Sequence, residues 1–219
     1  HTNFDLFHLS SKINKSCVIN NYLLMKLEIF KFEKVTSTND TAINLIKNQQ
    51  KEAGWVFATT QTQGRGTHGN KWISETGNLF GSIFFPLNKN YPSFSEFSII
   101  NPVIVHEIIK KFCGEKKISF KWPNDVFVNG KKICGILQEV ITYDSKKFLI
   151  IGMGINIISN PDIKTKYQAT NILFETKKKI TINEIVDLLI KSYENFFYNL
   201  NSYNFINFKA KVDLISENK

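Results

Sequence analysis

Gly64-Arg65-Gly66-Thr67-His68-Gly69-Asn70-Lys71-Trp72 decides how this chain is read. Three glycines let backbone N–H groups approach a ligand where a Cβ would clash. Arg65 and Lys71 add positive charge, and Trp72 adds a flat apolar face. That mixture suits a ligand carrying both a phosphate and a ring. The G-x-G-x-x-G spacing is also the dinucleotide fingerprint, which demands a strand before the glycines and a helix opening directly after them. The strand is present, because Trp55 to Thr60 is apolar and β-prone. The helix is not. Asn70 to Asn78 shows no helical period and ends in the turn pair Gly77-Asn78, and Leu79-Phe80-Gly81-Ser82-Ile83-Phe84-Phe85 reads as another strand. The glycines therefore fall in a long, mobile loop between two strands, of the kind that closes over a ligand. A Rossmann oxidoreductase is set aside on this context. An ordinary flexible loop stays open as a reading while the motif stands alone.

Outward from the loop, the pattern is mixed. Leu27-Glu28-Ile29-Phe30-Lys31-Phe32-Glu33 alternates as a strand. Ser37-Thr38-Asn39-Asp40 starts a helix through Ala42, Ile43, Leu45 and Ile46, with a capping-box variant at its head. A helix is expected from the region of Phe94 to Phe112, interrupted or begun at Asn101-Pro102. Strands are expected at 118–121, 125–128, 133–142 and 147–155, with Asn129-Gly130 as a hairpin turn. Thr181-Ile182-Asn183-Glu184 is a full capping box, opening a helix with Ile185, Leu188, Leu189, Ser192 and Phe196 on one face. Strands and helices do not alternate strictly, so the fold class is α+β with a mixed β-sheet packed with helices.

The chain has 219 residues, 42% of them hydrophobic, enough for one good core or for one large and one small domain. No run of about 18 apolar residues marks a spanning helix. Cys17, Cys113 and Cys134 are far apart, which argues against a disulfide framework or a zinc site and fits a reducing cytosol. The four histidines form no H-x-x-x-H pair, and no structural metal is indicated. Net charge is +9, carried by lysine pairs and triplets. These read either as solvated surface or as a face for nucleotide phosphates or an acidic partner protein. No nucleic-acid-binding pattern accompanies the charge. Residues 1–24 read as an N-terminal extension, not necessarily native, ahead of a start at Met25. Residues 25–200 read as one large domain and 201–219 as a C-terminal tail.

Two further clusters carry chemistry. Lys121-Trp122-Pro123-Asn124-Asp125 places an amide and a carboxylate at a strand entrance, although Pro-Asn-Asp is also good turn chemistry. Lys132 leads into Ile133-Cys134-Gly135-Ile136-Leu137-Gln138-Glu139, an apolar strand whose glycine could admit a ligand to the backbone. Gly152-Met153-Gly154-Ile155-Asn156 places glycines inside a strand, followed by an amide; alone it is equally a packing feature.

In this order and spacing, the set resembles the biotin protein ligases: Ser37-Thr38-Asn39, Gln61, Gly64-Arg65-Gly66-x-x-Gly69 with Trp72, Lys121 to Asp125, Lys132 with Gly135-Ile136-Leu137-x-Glu139, and Gly154-Ile155-Asn156. The resemblance implies a catalytic domain of the class II aminoacyl-tRNA synthetase and biotin protein ligase kind. It implies ATP-dependent joining of biotin to a lysine of a biotin carboxyl carrier protein of acetyl-CoA carboxylase, through biotinyl-5′-AMP, in the cytoplasm and with Mg²⁺. By that resemblance Ser37, Thr38 and Gln61 hydrogen-bond the ureido ring of biotin, with backbone help from Arg65, Gly66 and Thr67. Lys132 holds the biotin carboxylate, Arg65 is the phosphate cation, Trp72 packs on adenine and Asn156 reads its edge. Asp125 either binds Mg²⁺ or orients the incoming lysine. Asn39, Gly64, Gly69, Asn124 and Gly135 complete the expected ligand-binding set. The chain departs from the pattern at Thr67, His68 and Asn70, where many members have arginines, so a weaker hold on the adenylate is expected. Residues 1–24 are too short for a winged helix-turn-helix, and the segment after Leu200 is too short for an SH3-like barrel. The competing readings are a lipoate or octanoyl ligase-like acyltransferase and a biotin-binding sensor without activity.

Overall fold

The computed structural model describes residues 27–114, 116–161 and 167–215. The expectations for residues 1–24 and Met25, with Cys17, lie outside the described residues. In chain order the elements are β1 (Glu28–Val35), α1 (Thr38–Gln49), β2 (Gly54–Gln61), β3 (Leu79–Pro86), α2 (Phe94–Cys113), β4 (Ile118–Lys121), β5 (Asp125–Val128), β6 (Lys131–Tyr143), β7 (Lys146–Ile155), α3 (Ile172–Thr176), α4 (Ile182–Tyr198) and α5 (Phe205–Ile215).

The strands form one seven-stranded sheet in the order β1-β2-β3-β7-β6-β5-β4. β1 and β2 run parallel, joined by α1 as the crossover that a parallel pair requires, and every other neighbouring pair is antiparallel. The mixed sheet is as the sequence reads. Tight turns make the long β5-β6-β7 meander possible. Asn129 and Gly130 both take positive φ between β5 and β6, and Asp144 and Ser145 do so between β6 and β7.

Each face of the sheet is buried under helices. On one face Ala42, Leu45 and Ile46 of α1 pack on Val56, Phe84 and Ile150. On the other, α2 and α4 bury the larger core, where Val105, Ile108, Leu189 and Tyr193 meet Trp55, Ile151 and Ile155. Cys113 and Cys134 are buried there as free thiols, and burial pushes Cys113 up to about 11, in keeping with small apolar side chains. The segment after Leu200 continues as α5, which packs on α2 and β4; Phe208 and Val212 cover the same core. Among the described residues no helix is long and apolar enough to cross a membrane.

Two helix starts differ from their sequence readings. α2 does not begin or break at Asn101-Pro102; it runs unbroken through Pro102 from a full capping box of Ser93 and Glu96. Asn101 is buried instead, accepting from Tyr193 Oη at 2.8 Å and donating to Gln138 Oε1 at 2.7 Å. The tertiary contacts outweigh the hydrogen bond that proline cannot make. At α1 only half of the capping box forms. The Ser37 hydroxyl accepts from the Asp40 N–H at 3.5 Å, while the Asp40 carboxylate turns away to Arg65.

Candidate active site

The site lies on the α1 face of the sheet, beyond the N-terminus of that helix. Residues paired across neighbouring strands share a face. Gly135 of β6 stands opposite Gly154 of β7, Leu137 stands opposite Gly152, and Gly152 in turn stands opposite Ser82 of β3. The three glycines leave a trough in the sheet. Two side chains occupy its floor. The Trp72 indole covers Gly135 and Gly154, where an added Cβ would come within 2.6 and 2.3 Å of the ring. Asn39 sits on Gly152, whose Cβ would meet Asn39 Oδ1 at 2.3 Å. Above this floor opens a cavity of about 440 Å³, walled by the start of α1, the glycine loop, β6 and the segment around Tyr167.

A β-bulge aims Lys132 into the cavity. In a regular strand residues 132 and 135 would point to opposite faces. Phe127 pairs with Lys132 but Val126 pairs with Cys134, so Ile133 is the extra residue and Lys132 joins Gly135 on the cavity side. The lysine backbone is held on its other edge, donating to Gln168 O and accepting from Thr170 N, both at 2.8 Å. Its Nζ lies 2.8 Å from Asp125 Oδ1 as an ion pair without directed hydrogen-bond geometry, and 5.4 Å from the centre of the Trp72 ring. The turn that carries Asn124 and Asp125 includes a cis Trp122–Pro123 bond. Asn124 donates to Ile136 O at 3.1 Å and reaches Thr67 Oγ1 at 3.5 Å, tying that turn to β6 and to the loop.

Polar side chains fix the opposite wall. Gln61 Oε1 accepts from the Thr38 N–H at 2.8 Å, and Gln61 Nε2 donates to Ser74 Oγ at 3.0 Å. Ser82 Oγ lies 2.8 Å from Thr38 Oγ1 and 2.6 Å from Asn39 Oδ1. Asn39 Nδ2 serves Leu137 O and Glu139 Oε2, so every polar atom of that amide has a partner within the protein. Asn156 is buried and donates to Thr170 O at 3.0 Å, holding the strand end to the segment that flanks Lys132.

Arg65 is tightly engaged. Nη1 and Nη2 each donate to Glu139 at 2.7 Å, and Nη2 also reaches Asp40 Oδ1 at 2.6 Å. Hydrogen bonding to Glu139 outweighs the opposing effect of burial and, with Asp40, raises the guanidinium above its ordinary pKa.

The structure thus gathers Ser37, Thr38, Asn39, Gln61, Arg65 and Gly66 around one cavity, and with them Thr67, Trp72, Asn124, Asp125, Lys132, Gly135 and Asn156. Gly64 and Gly69 do not line it. Gly64 closes the neck of the loop, where Trp72 N donates to its carbonyl at 2.8 Å and a Cβ would come within 2.5 Å of Trp72 O. Gly69 is needed for its φ of +76°. Sequence reasoning passed over Ser82 and Tyr167. Ser82 had a signal, as the hydroxyl of an otherwise apolar strand. Tyr167 had none.

Known proteins match this architecture. The model of the biotin/lipoate A/B protein ligase family matches residues 30–156. A biotin–[acetyl-CoA-carboxylase] ligase of Paracoccus denitrificans is 28% identical over 178 residues, covering 78% of this chain and 74% of that one. The biotin protein ligase of Leishmania major, solved with biotin, superposes with a TM-score of 0.77 at 25% identity, over 87% of this chain and 81% of that one. That of Aquifex aeolicus, solved with biotin and ATP, gives 0.72 at 29% identity, over 86% and 78%. Two longer curated relatives, both bifunctional ligase/repressors, are covered over only 38% and 54% of their length. A trough of three glycines, a lysine turned inward by a bulge and a family match over more than half of the sequence agree: this chain belongs to the biotin/lipoate A/B protein ligase family.

Proposed function

We propose that this chain is a biotin–[acetyl-CoA-carboxylase] ligase, which joins biotin to a lysine of a carboxyl carrier protein at the expense of ATP. The observation that carries this reading is the convergence of Lys132, the hydroxyls at the head of α1 and Trp72 on a single cavity.

The first step brings two anions together. A biotin carboxylate oxygen attacks the α-phosphorus of ATP, a P–O bond forms, the α–β bridging bond breaks and pyrophosphate leaves. Lys132 neutralises the carboxylate and then the acyl-phosphate oxygens, as a charged donor fixed beforehand does best in a site that excludes water. Asp125 holds that ammonium in place. Thr38 and Gln61, already bonded to each other, and Ser37 beside them present polar groups to the ureido ring, and the face of Trp72 away from the glycines receives adenine. In the second step the neutral amine of the acceptor lysine attacks the acyl carbonyl, the C–O bond to phosphate breaks and AMP leaves. Walls that exclude water protect the anhydride from hydrolysis.

Mg²⁺ would arrive on the nucleotide. Among the described residues no three His, Cys, Asp or Glu side chains converge, and Asp125 is the one carboxylate among those lining the cavity. Asp125, as a lone carboxylate, would hold an ion bound chiefly by phosphates, and that ion would supply charge neutralisation to the pyrophosphate group. The carrier protein as partner, and the cytoplasm as the place of reaction, follow from the same reading.

Pyrophosphate release tests it. ATP with biotin should release pyrophosphate, whereas ATP with lipoate or with neither should not. Addition of an acetyl-CoA carboxylase carrier domain should transfer the label to one lysine. Release with lipoate alone would move the chain to the acyltransferase branch, and biotin binding without release would make it a sensor.

A further inference from the structure

We propose that Asp40 and Glu139 are positioning residues that clamp the glycine loop shut through Arg65, so that the Arg65 side chain is a strut of the biotin wall and not a free phosphate cation. The inference rests on the function proposed above and assigns a task within the same site.

Arg65 ties the loop of residues 62–78 to charged groups on both an α-helix and a central strand. Its fork meets Glu139 of β6 through two bonds of 2.7 Å, and Asp40 in the first turn of α1 through one of 2.6 Å. Bidentate, charge-assisted pairs of this kind are the strong and directional ones. The Glu139 acceptor is itself fixed. Asn39 Nδ2 holds Glu139 Oε2 at 2.7 Å, and Asn39 is pinned in turn by Leu137 O and Ser82 Oγ. A continuous hydrogen-bonded chain thus runs from β3, through α1 and β6, to the loop. Gly66 and Thr67, the next two residues, line the cavity, and Gly66 N donates to Asn70 O at 2.7 Å. Where those two backbone groups stand is therefore set by the grip of the carboxylates on Arg65. With Nη1 and Nη2 committed to carboxylates, only Nε lacks a partner, and it is buried. A phosphate would have to displace a carboxylate already held in two places. Lys132 and Lys71 line the same cavity and pay no such exchange with Glu139.

Glu139→Gln tests the clamp, because it keeps the shape and an acceptor for Asn39 while removing the charge. Two readouts are needed. In the unliganded protein, tryptic cleavage after Arg65, followed by mass spectrometry, should be about tenfold faster in the variant, as expected when a strong ion pair is lost. In steady-state adenylate formation, the KM for biotin should rise about tenfold, while kcat at saturating biotin and the KM for ATP stay within about threefold of wild type. Arg65→Lys should behave alike, since lysine keeps the charge but not the fork. Unchanged cleavage, or a KM shift confined to ATP, would overturn the proposal, and so would a lowered KM for ATP caused by release of Arg65. Should Glu139→Gln fold poorly, Asp40→Asn, at the more exposed end, gives the same readings. The cleavage assay needs no turnover, so a protein that failed to ligate biotin would still report whether the clamp exists.

Discussion

Trp72 owes its place to two missing side chains, and that makes Gly154 a sensitive position. A Cβ there would lie 2.3 Å from the indole, too close for either group to stay. Alanine burdens a strand no more than the glycine it replaces, so the sheet persists and the ring must move, at an overpacking cost of about 1–3 kcal/mol. Gly154→Ala is expected to raise the KM for ATP at least tenfold with a smaller effect on biotin, and to shift tryptophan fluorescence. A normal KM for ATP would remove Trp72 from the nucleotide wall. Lys132→Ala should abolish biotinyl-AMP formation while the protein stays folded. The cost in stability is about 1–3 kcal/mol, from leaving the partly buried Asp125 carboxylate without its cation. Retention of near-normal adenylate yield would refute the role of Lys132. At this scale the sequence named residues that the structure brings around one cavity, and said little of what they touch. It marked Gly135 as a place where a ligand could reach the backbone, and treated Gly152 and Gly154 as equally a packing feature. That Trp72 and Asn39 fill those gaps depends on strand register, which pairs residues far apart in the chain and leaves no local trace.

Turns and bulges, more than strands themselves, deliver side chains to the cavity. Asn129-Gly130 was legible because its residue types are those that tolerate positive φ. Asp144-Ser145 makes the same kind of turn with φ of +46° and +59° and carries no such signature. Asp144→Asn with Ser145→Gly should therefore stabilise the β6-β7 hairpin by about 0.5–1 kcal/mol, read as a rise in Tm. Activity should not change, since the turn sits at the end of the hairpin remote from Lys132. A fall in Tm would mean that the present side chains hold the turn in some other way. The bulge at Ile133 was likewise hidden, because no residue type marks it, yet without it Lys132 would face away from Gly135. The helix head at Thr181 and Glu184 was readable from its two box residues, whereas the equally complete box of Ser93 and Glu96 was passed over in favour of Asn101-Pro102. Asp40 was misread as a cap because its true partner, Arg65, lies 25 positions away.

At the scale of the whole molecule, the net charge of +9 has a direction. Lys71 lines the cavity and is exposed. Lys121 reaches over Tyr167 of the cavity wall, with Nζ 3.5 Å from the ring centre. Lys131, next to the lysine of the site, and Lys177 flank the exposed ring of Phe174 at 5.4 and 4.5 Å. The far end of the sheet is different, since Lys146 there is paired with Glu52 at 2.8 Å. Positive charge near the mouth, for which the described residues offer no paired carboxylate, speeds the approach of an acidic partner, and the benefit fades as salt shortens the Debye length from about 10 Å at 0.1 M to about 3 Å at 1 M. Transfer to a carrier domain should therefore fall steeply with ionic strength in kcat/KM. Transfer to a small neutral amine, which feels no long-range field, should fall much less, and the adenylate it consumes serves as the internal control. Lys121→Gln with Lys131→Gln should flatten the salt dependence for the carrier and leave that for the small amine unchanged, because neither residue forms part of the cavity wall. Equal salt dependence for the two acceptors would return these lysines to plain solvated surface, the other meaning their sequence allows.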